Sequence, residues 1–165
     1  MVDVVFDASA LILTAKIGLL SELTDEIEIY VTEEVYEEST KADTYDAKLI
    51  KERGEKDKFN RENISQDSIN RLMEKFNLDK GESSAIRLYN KVDADILATD
   101  DKQAINTCKI LEVRFTTSLK LLEQAYQKEL LSQEKALAKL RELEKFGWFT
   151  DTQVKTTENN IRGEN

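Results

Sequence analysis

The first ten residues, Met-Val-Asp-Val-Val-Phe-Asp-Ala-Ser-Ala, constrain this chain more than any other stretch. Val2, Val4, Val5 and Phe6 form a β-branched and aromatic run that reads as a buried strand. The run stops at Asp7, and Ala8-Ser9-Ala10-Leu11-Ile12-Leu13 continues in residues that suit a helix. Asp7 is therefore expected at the C-terminal end of the first strand. Ligands of open parallel α/β sheets bind outside such strand ends, which makes Asp7 a candidate for the first group of an acidic site. It is equally a candidate cap for the helix after it, and the local residues leave both readings open.

The same strand-then-helix alternation continues along the chain. Helix is expected from about Ser9 to Leu20, with Leu11, Ile12, Ala15, Leu19 and Leu20 inward. Ile27, Ile29 and Val31 alternate with Glu28 and Tyr30 as in a strand, and Thr32 caps a helix from Glu33 to about Thr40. Asp43 to Arg53 reads as a helix with Tyr45, Leu49 and Ile50 inward, Gly54 to Asn63 as the most loop-like internal stretch, and Ile64 as part of a short strand. Gln66 to Asn77 is amphipathic, Ser83 to Lys91 helical, Ile96–Ala98 a short strand, Lys102 to Leu111 a helix and Val113–Phe115 a last strand. Ser118 and Ser132 are read as caps of two further helices, and the polar stretch 150–165 as a flexible tail after one domain spanning 1–149. Strands alternating with helices argue for an α/β fold with a parallel sheet.

Composition narrows the chemistry. The chain has no histidine and a single cysteine, Cys108. That excludes an intramolecular disulfide, a Cys/His zinc site and any mechanism built on a histidine base. Cys108 falls in a helix and is read as a small buried residue. What remains is carboxylates, which select hard cations. The net charge of −9 argues against a broad electrostatic grip on nucleic acid, though bound cations invert local charge. Lys48, Lys51, Arg53, Lys56, Lys58 and Arg61 are the one basic concentration; with acids interleaved, they read as a solvated face. No stretch is long and apolar enough for a membrane span, and the N-terminus lacks a signal-peptide pattern, so a cytoplasmic location is expected.

The other acids each have a structural reading beside a functional one. Asp100 and Asp101 follow a strand and precede a helix; one can cap it, but two adjacent charges repel unless a cation sits nearby. Asp79-Lys80-Gly81-Glu82 has the form of a capping box, which would occupy Glu82 structurally. Glu33, Glu34, Glu37 and Glu38 form an acidic cluster; the first two suit a helix N-terminus, and Glu34 and Glu38 share a face.

The order of these segments says more than any one of them. V-V-F-D-A-S-A-L, then V-T-E-E-V-Y-E-E, then D-K-G-E-S-S-A-I-R-L, then A-D-I-L-A-T-D-D resembles the PIN-domain ribonucleases, in particular small prokaryotic members such as the VapC-type toxins. The resemblance covers most of the chain and implies a three-layer α/β/α sandwich with a central parallel sheet. By position it implies catalytic roles for Asp7, Glu38, Glu82 and Asp101, metal binding by Asp7, Glu82, Asp101 and Asp100, and support from Ser9, Thr99 and Glu34. It further implies Mg²⁺ or Mn²⁺ as cofactor, an RNA substrate, a small antitoxin-like protein as partner, and a homodimer. The expected activity is metal-dependent endoribonuclease, as a toxin or as an RNA-processing enzyme.

Two other enzyme classes begin similarly and fit worse. A haloacid-dehalogenase-type phosphotransferase wants a second Asp two residues after the first, where this chain has Ser9. A response-regulator receiver places its acidic pair after the first strand, whereas Asp100-Asp101 come late. The rival from a different class is a catalytically silent PIN-fold binding module acting through a protein or RNA partner.

Overall fold

The computed structural model describes residues 1–164. The chain begins with β1 (Val2–Phe6), α1 (Ala8–Lys16), α2 (Leu19–Leu23), β2 (Ile27–Thr32), α3 (Glu33–Thr40) and α4 (Tyr45–Glu55). It continues through β3 (Phe59–Glu62), α5 (Gln66–Phe76), α6 (Lys80–Lys91), β4 (Ile96–Ala98), α7 (Lys102–Ile110) and β5 (Phe115–Thr116). It closes with α8 (Ser118–Gln127), α9 (Gln133–Phe146) and α10 (Asp151–Arg162).

The strands form one five-stranded, wholly parallel sheet in the order β3-β2-β1-β4-β5. β1 is central, pairing Val4 with Ile29 on one side and with Ile96 on the other. Val4, Val5 and Phe6 are all buried, because helices cover both faces of the sheet. The chain steps from β1 to β2 to β3 in one direction, then returns past β1 to β4 and β5. α1–α4 connect strands that advance one way and α5–α7 strands that advance the other, so the right-handed crossover rule assigns the two groups to opposite faces. The direction of winding reverses between β1 and β4, and the crevice beyond their C-terminal ends is where folds of this kind place ligands. No described helix is long and apolar enough to cross a membrane.

Several local expectations change in three dimensions. The first helix stops at Lys16, not Leu20: Gly18 takes φ 72°, and Lys139 Nζ donates to the Ile17 carbonyl at 2.7 Å. The stretch read as a loop holds β3, an edge strand in which Phe59 is buried and Asn60 and Arg61 are exposed. Charged edge strands hide from hydropathy patterns, and the same charges discourage edge-to-edge pairing. β3 ends before Ile64. Tyr45 is 71% exposed, not inward, because it opens α4 at its solvent end. Thr117, not Ser118, caps α8. The stretch read as a flexible tail forms α10, started by a Thr150–Gln153 capping box and packed on α8 and α9 through Val154, Thr157 and Ile161.

Candidate active site

Asp7 is both a cap and a buried carboxyl. As N-cap of α1 its Oδ1 accepts from the Ala10 N–H at 3.0 Å and from Ser9 Oγ at 2.7 Å. Its Oδ2 accepts from Thr99 Oγ1, on the segment leaving β4. The backbone makes the same junction, with Asp7 N–H donating to the Ala98 carbonyl at 3.0 Å. Asp7 is 1% exposed. Loss of hydration pushes its pKa up to about 7, against three hydrogen bonds that favour the ionised form.

The Thr99-Asp100-Asp101 segment divides its two acids. The Asp100 N–H donates to Ser9 Oγ at 2.9 Å, and the Asp100 carboxyl accepts from the Ser118 N–H at 2.9 Å and from Ser118 Oγ. Burial raises its pKa. Asp101 caps α7, accepting from the Ala104 N–H at 2.9 Å, while its own N–H donates to Thr99 Oγ1 at 3.2 Å. Thr99 thus bridges Asp7 and Asp101, and Ser9 bridges Asp7 and Asp100.

Glu82 reaches the same place from α6. Its capping box forms: Oε1 accepts from the Asp79 N–H at 2.9 Å, and Asp79 Oδ1 accepts from the Glu82 N–H at 2.7 Å. Its carboxyl also faces that of Asp101. Loss of hydration first, then the contact with Asp101, push Glu82 up to about 8.

Glu38 stands to one side. Its Oε2 passes so close to Gly81 that a Cβ there would lie 2.7 Å away. Loss of hydration and the Asp79 charge raise its pKa, partly offset by Lys41. No hydrogen bond joins it to Asp7, Glu82 or Asp101. Glu34, one turn earlier on α3, has Oε1 buried with no hydrogen-bond partner among the described residues. It lines a depression with Glu38, Lys41, Lys80 and Gly81.

The structure therefore joins Asp7, Ser9, Thr99, Asp100 and Asp101 in one hydrogen-bonded cluster, brings the Glu82 carboxyl against Asp101, and leaves Glu38 and Glu34 beside it. As the side chains are placed, no three His, Cys, Asp or Glu among the described residues are grouped closely enough to hold a metal ion. The donor set still suits one in kind: hard carboxylate oxygens on Asp7, Asp101 and Glu82, with the Glu82 carboxyl raised to about 8, and an unpaired buried oxygen on Glu34. Ser118 was not evident from sequence as a partner of Asp100, since it lies in another segment. Cys108 is buried in α7, and burial pushes its thiol up to about 12, out of the range of a nucleophile.

The basic concentration around α4 is largely engaged. Lys48, Lys56, Lys58 and Arg61 pair with Asp43, Glu52, Asp25 and Glu33, and Arg53 donates to Ser21 Oγ. Arg61 also lies 3.8 Å over the Tyr36 ring. A cleft of about 620 Å³ opens instead beside Asp100, between the start of α7 and the α9–α10 turn.

A comparison with curated proteins finds no match. A family model described as a PIN domain matches residues 3–158, nearly the whole chain. With a parallel sheet wound 3-2-1-4-5 and carboxyl groups gathered at its switch point, the chain belongs to the PIN-domain family.

Proposed function

We propose that this protein is a metal-dependent endoribonuclease. PIN domains are in general nucleases, and the observation that carries the reading here is the bridging of Asp7 and Asp101 by Thr99 at the β1–β4 switch point, with the Glu82 carboxyl facing Asp101. Asp7, Glu82, Asp101 and Asp100 would hold Mg²⁺ or Mn²⁺. When bound, such an ion supplies Lewis acidity toward the phosphodiester and its attacking water. The chain's own residues do the positioning. Thr99 and Ser9 aim the Asp7 carboxyl, Ser118 holds Asp100, and the Asp79 N–H holds one oxygen of Glu82. Glu38, on the flank, would act as the general base and accept a proton from the water once turned toward the cluster. No step needs a histidine.

The test is cleavage of mixed single-stranded RNA with Mn²⁺, Mg²⁺ or EDTA, comparing wild type with Asp7→Asn. Metal-dependent cutting that disappears in the variant supports the nuclease. A folded protein that cuts under no metal favours the silent binding module. The toxin assignment rests on the VapC-like sequence pattern alone. Growth arrest on expression, relieved by a co-purifying small protein, supports it; neither effect leaves an RNA-processing enzyme. A homodimer in the cytoplasm completes the reading, and sizing and fractionation test it.

A further inference from the structure

The turn between α9 and α10, Phe146-Gly147-Trp148-Phe149, builds one wall of the cleft beside Asp100. Gly147 lets it close tightly: Phe149 folds back so far that a Cβ on Gly147 would lie 2.3 Å from its ring. With Phe149 turned inward, Trp148 is left 98% exposed. With Phe146 44% exposed beside it, the turn presents adjoining aromatic surface of the kind enriched at contact sites. The neighbouring Phe146 ring is already faced by the Lys16 ammonium at 5.5 Å and the Lys145 ammonium at 5.7 Å. The Trp148 ring has no such occupant among the described residues.

Charge supplies the second line. In a chain of net −9, Lys102 and Lys145 line this cleft beside Asp100 and Glu144, and neither lysine forms an ion pair among the described residues. Glu144 is engaged by Arg141 at 3.0 Å, and Lys145 faces the Phe146 ring. Asp100, a member of the acidic cluster, lines the cleft directly. An indole face, two ammonium groups without a carboxylate partner and a neighbouring carboxylate centre together match a flexible polyanion carrying flat aromatic groups. A purely apolar peptide would leave both lysines without an anionic partner.

We propose that this turn is a base-stacking subsite, in which Trp148 takes the face of an unpaired nucleobase flanking the phosphodiester at the acidic cluster, with Lys102 and Lys145 on the adjoining phosphates. The proposal rests on the nuclease reading and adds to it a contact that positions the base next to the cut. Base–aromatic stacking is sequence-tolerant because every base has a π-face. Target choice then lies elsewhere along the strand.

Trp148 is the chain's only tryptophan, so its fluorescence reports this site directly. The full chain is titrated at low ionic strength with short oligoadenylate and with an abasic ribose-phosphate chain of equal length, first in EDTA and then with Mn²⁺ on the Asp7→Asn protein. Quenching by the first and not the second, in either condition, is the expected result. No quenching in either, or equal quenching by both, overturns the subsite. Where wild type cuts RNA, Trp148→Ala should raise KM about tenfold with kcat little changed, and Trp148→Phe should restore most of the loss; an unchanged KM overturns it while the nuclease stands. Base-dependent quenching in a protein that cuts nothing keeps the subsite and removes the nuclease. An emission change produced only by a co-purifying protein, with oligonucleotides inert, makes the turn a protein contact and overturns the proposal.

Discussion

The Thr99 hydroxyl donates to the Asp7 carboxyl across 92 residues of chain, and the same oxygen accepts from the Asp101 N–H. One side chain thus couples the ends of β1 and β4. Thr99→Val keeps the shape and removes both bonds. The variant should lose about 1–3 kcal/mol in urea unfolding, the usual cost of orphaning buried polar groups. It should also need more Mn²⁺ for half-maximal cleavage, because Asp7 is no longer aimed and ionises less readily. Unchanged stability and metal dependence would remove Thr99 from the site.

Gly81 and Glu38 make a second pair. Gly81→Ala puts a methyl where the Glu38 carboxyl passes, 2.7 Å from Oε2. Helix propensity alone favours alanine by about 1 kcal/mol, so the fold should hold. The expected result is at least about a tenfold loss of cleavage, of the size a misplaced general base produces. In a Glu38→Ala background the same change should cost nothing further, since residues in contact are non-additive. A full additional loss in that background would mean that Gly81 acts some other way.

The metal-free protein should lose stability as pH rises. Asp7 lifts from 3.8 to about 7 and Glu82 from 4.5 to about 8 on folding. Between these limits the native state holds protons that the unfolded chain has released, so the slope of stability with pH is negative. As far as these two groups are concerned, melting in EDTA should therefore be highest below about pH 4 and fall from there through pH 8. Asp7→Asn should flatten much of the slope. Mn²⁺ at pH 7.5 should recover the lost stability by binding the ionised carboxylates. A flat profile in EDTA would contradict the crowded-carboxyl picture.

The C-terminal helix carries a stability test. Ile161 is buried, its carbonyl accepts from Gln133 Nε2 at 3.2 Å, and Asn160 Nδ2 donates to Glu123 at 3.1 Å. Ile161→Ala should cost about 2–4 kcal/mol, the range for large-to-small changes in a core. A mobile tail would show no effect. Urea unfolding monitored by circular dichroism decides between them.

Features that depend on neighbours in sequence were readable before any coordinates. β1 declares itself because three consecutive buried residues leave no room for polar alternation. The caps at Asp7, Thr32 and Asp79 are contacts over three residues, and each forms. The order of acidic segments carried the family. β3 was missed because an edge strand buries only Phe59, and α10 because its apolar contacts are few among polar residues. Ser118 read as a cap because nothing local says that it meets Asp100.

The chain's residues alone establish an α/β alternation, an oxygen-only chemistry without histidine, and Asp7 at a strand end. Whether Asp7 was only a cap could not be read locally, and packing gives it a second set of contacts: α1 uses its Oδ1, while Thr99 holds its buried Oδ2 at the switch point. The same holds for Glu82, a capping residue by spacing that is also brought onto Asp101 by the way α6 crosses the sheet. Hydrogen bonds across three residues are set by backbone geometry and so are written in local sequence. Contacts across the sheet depend on strand order and helix placement, which emerge only when the whole core is buried at once.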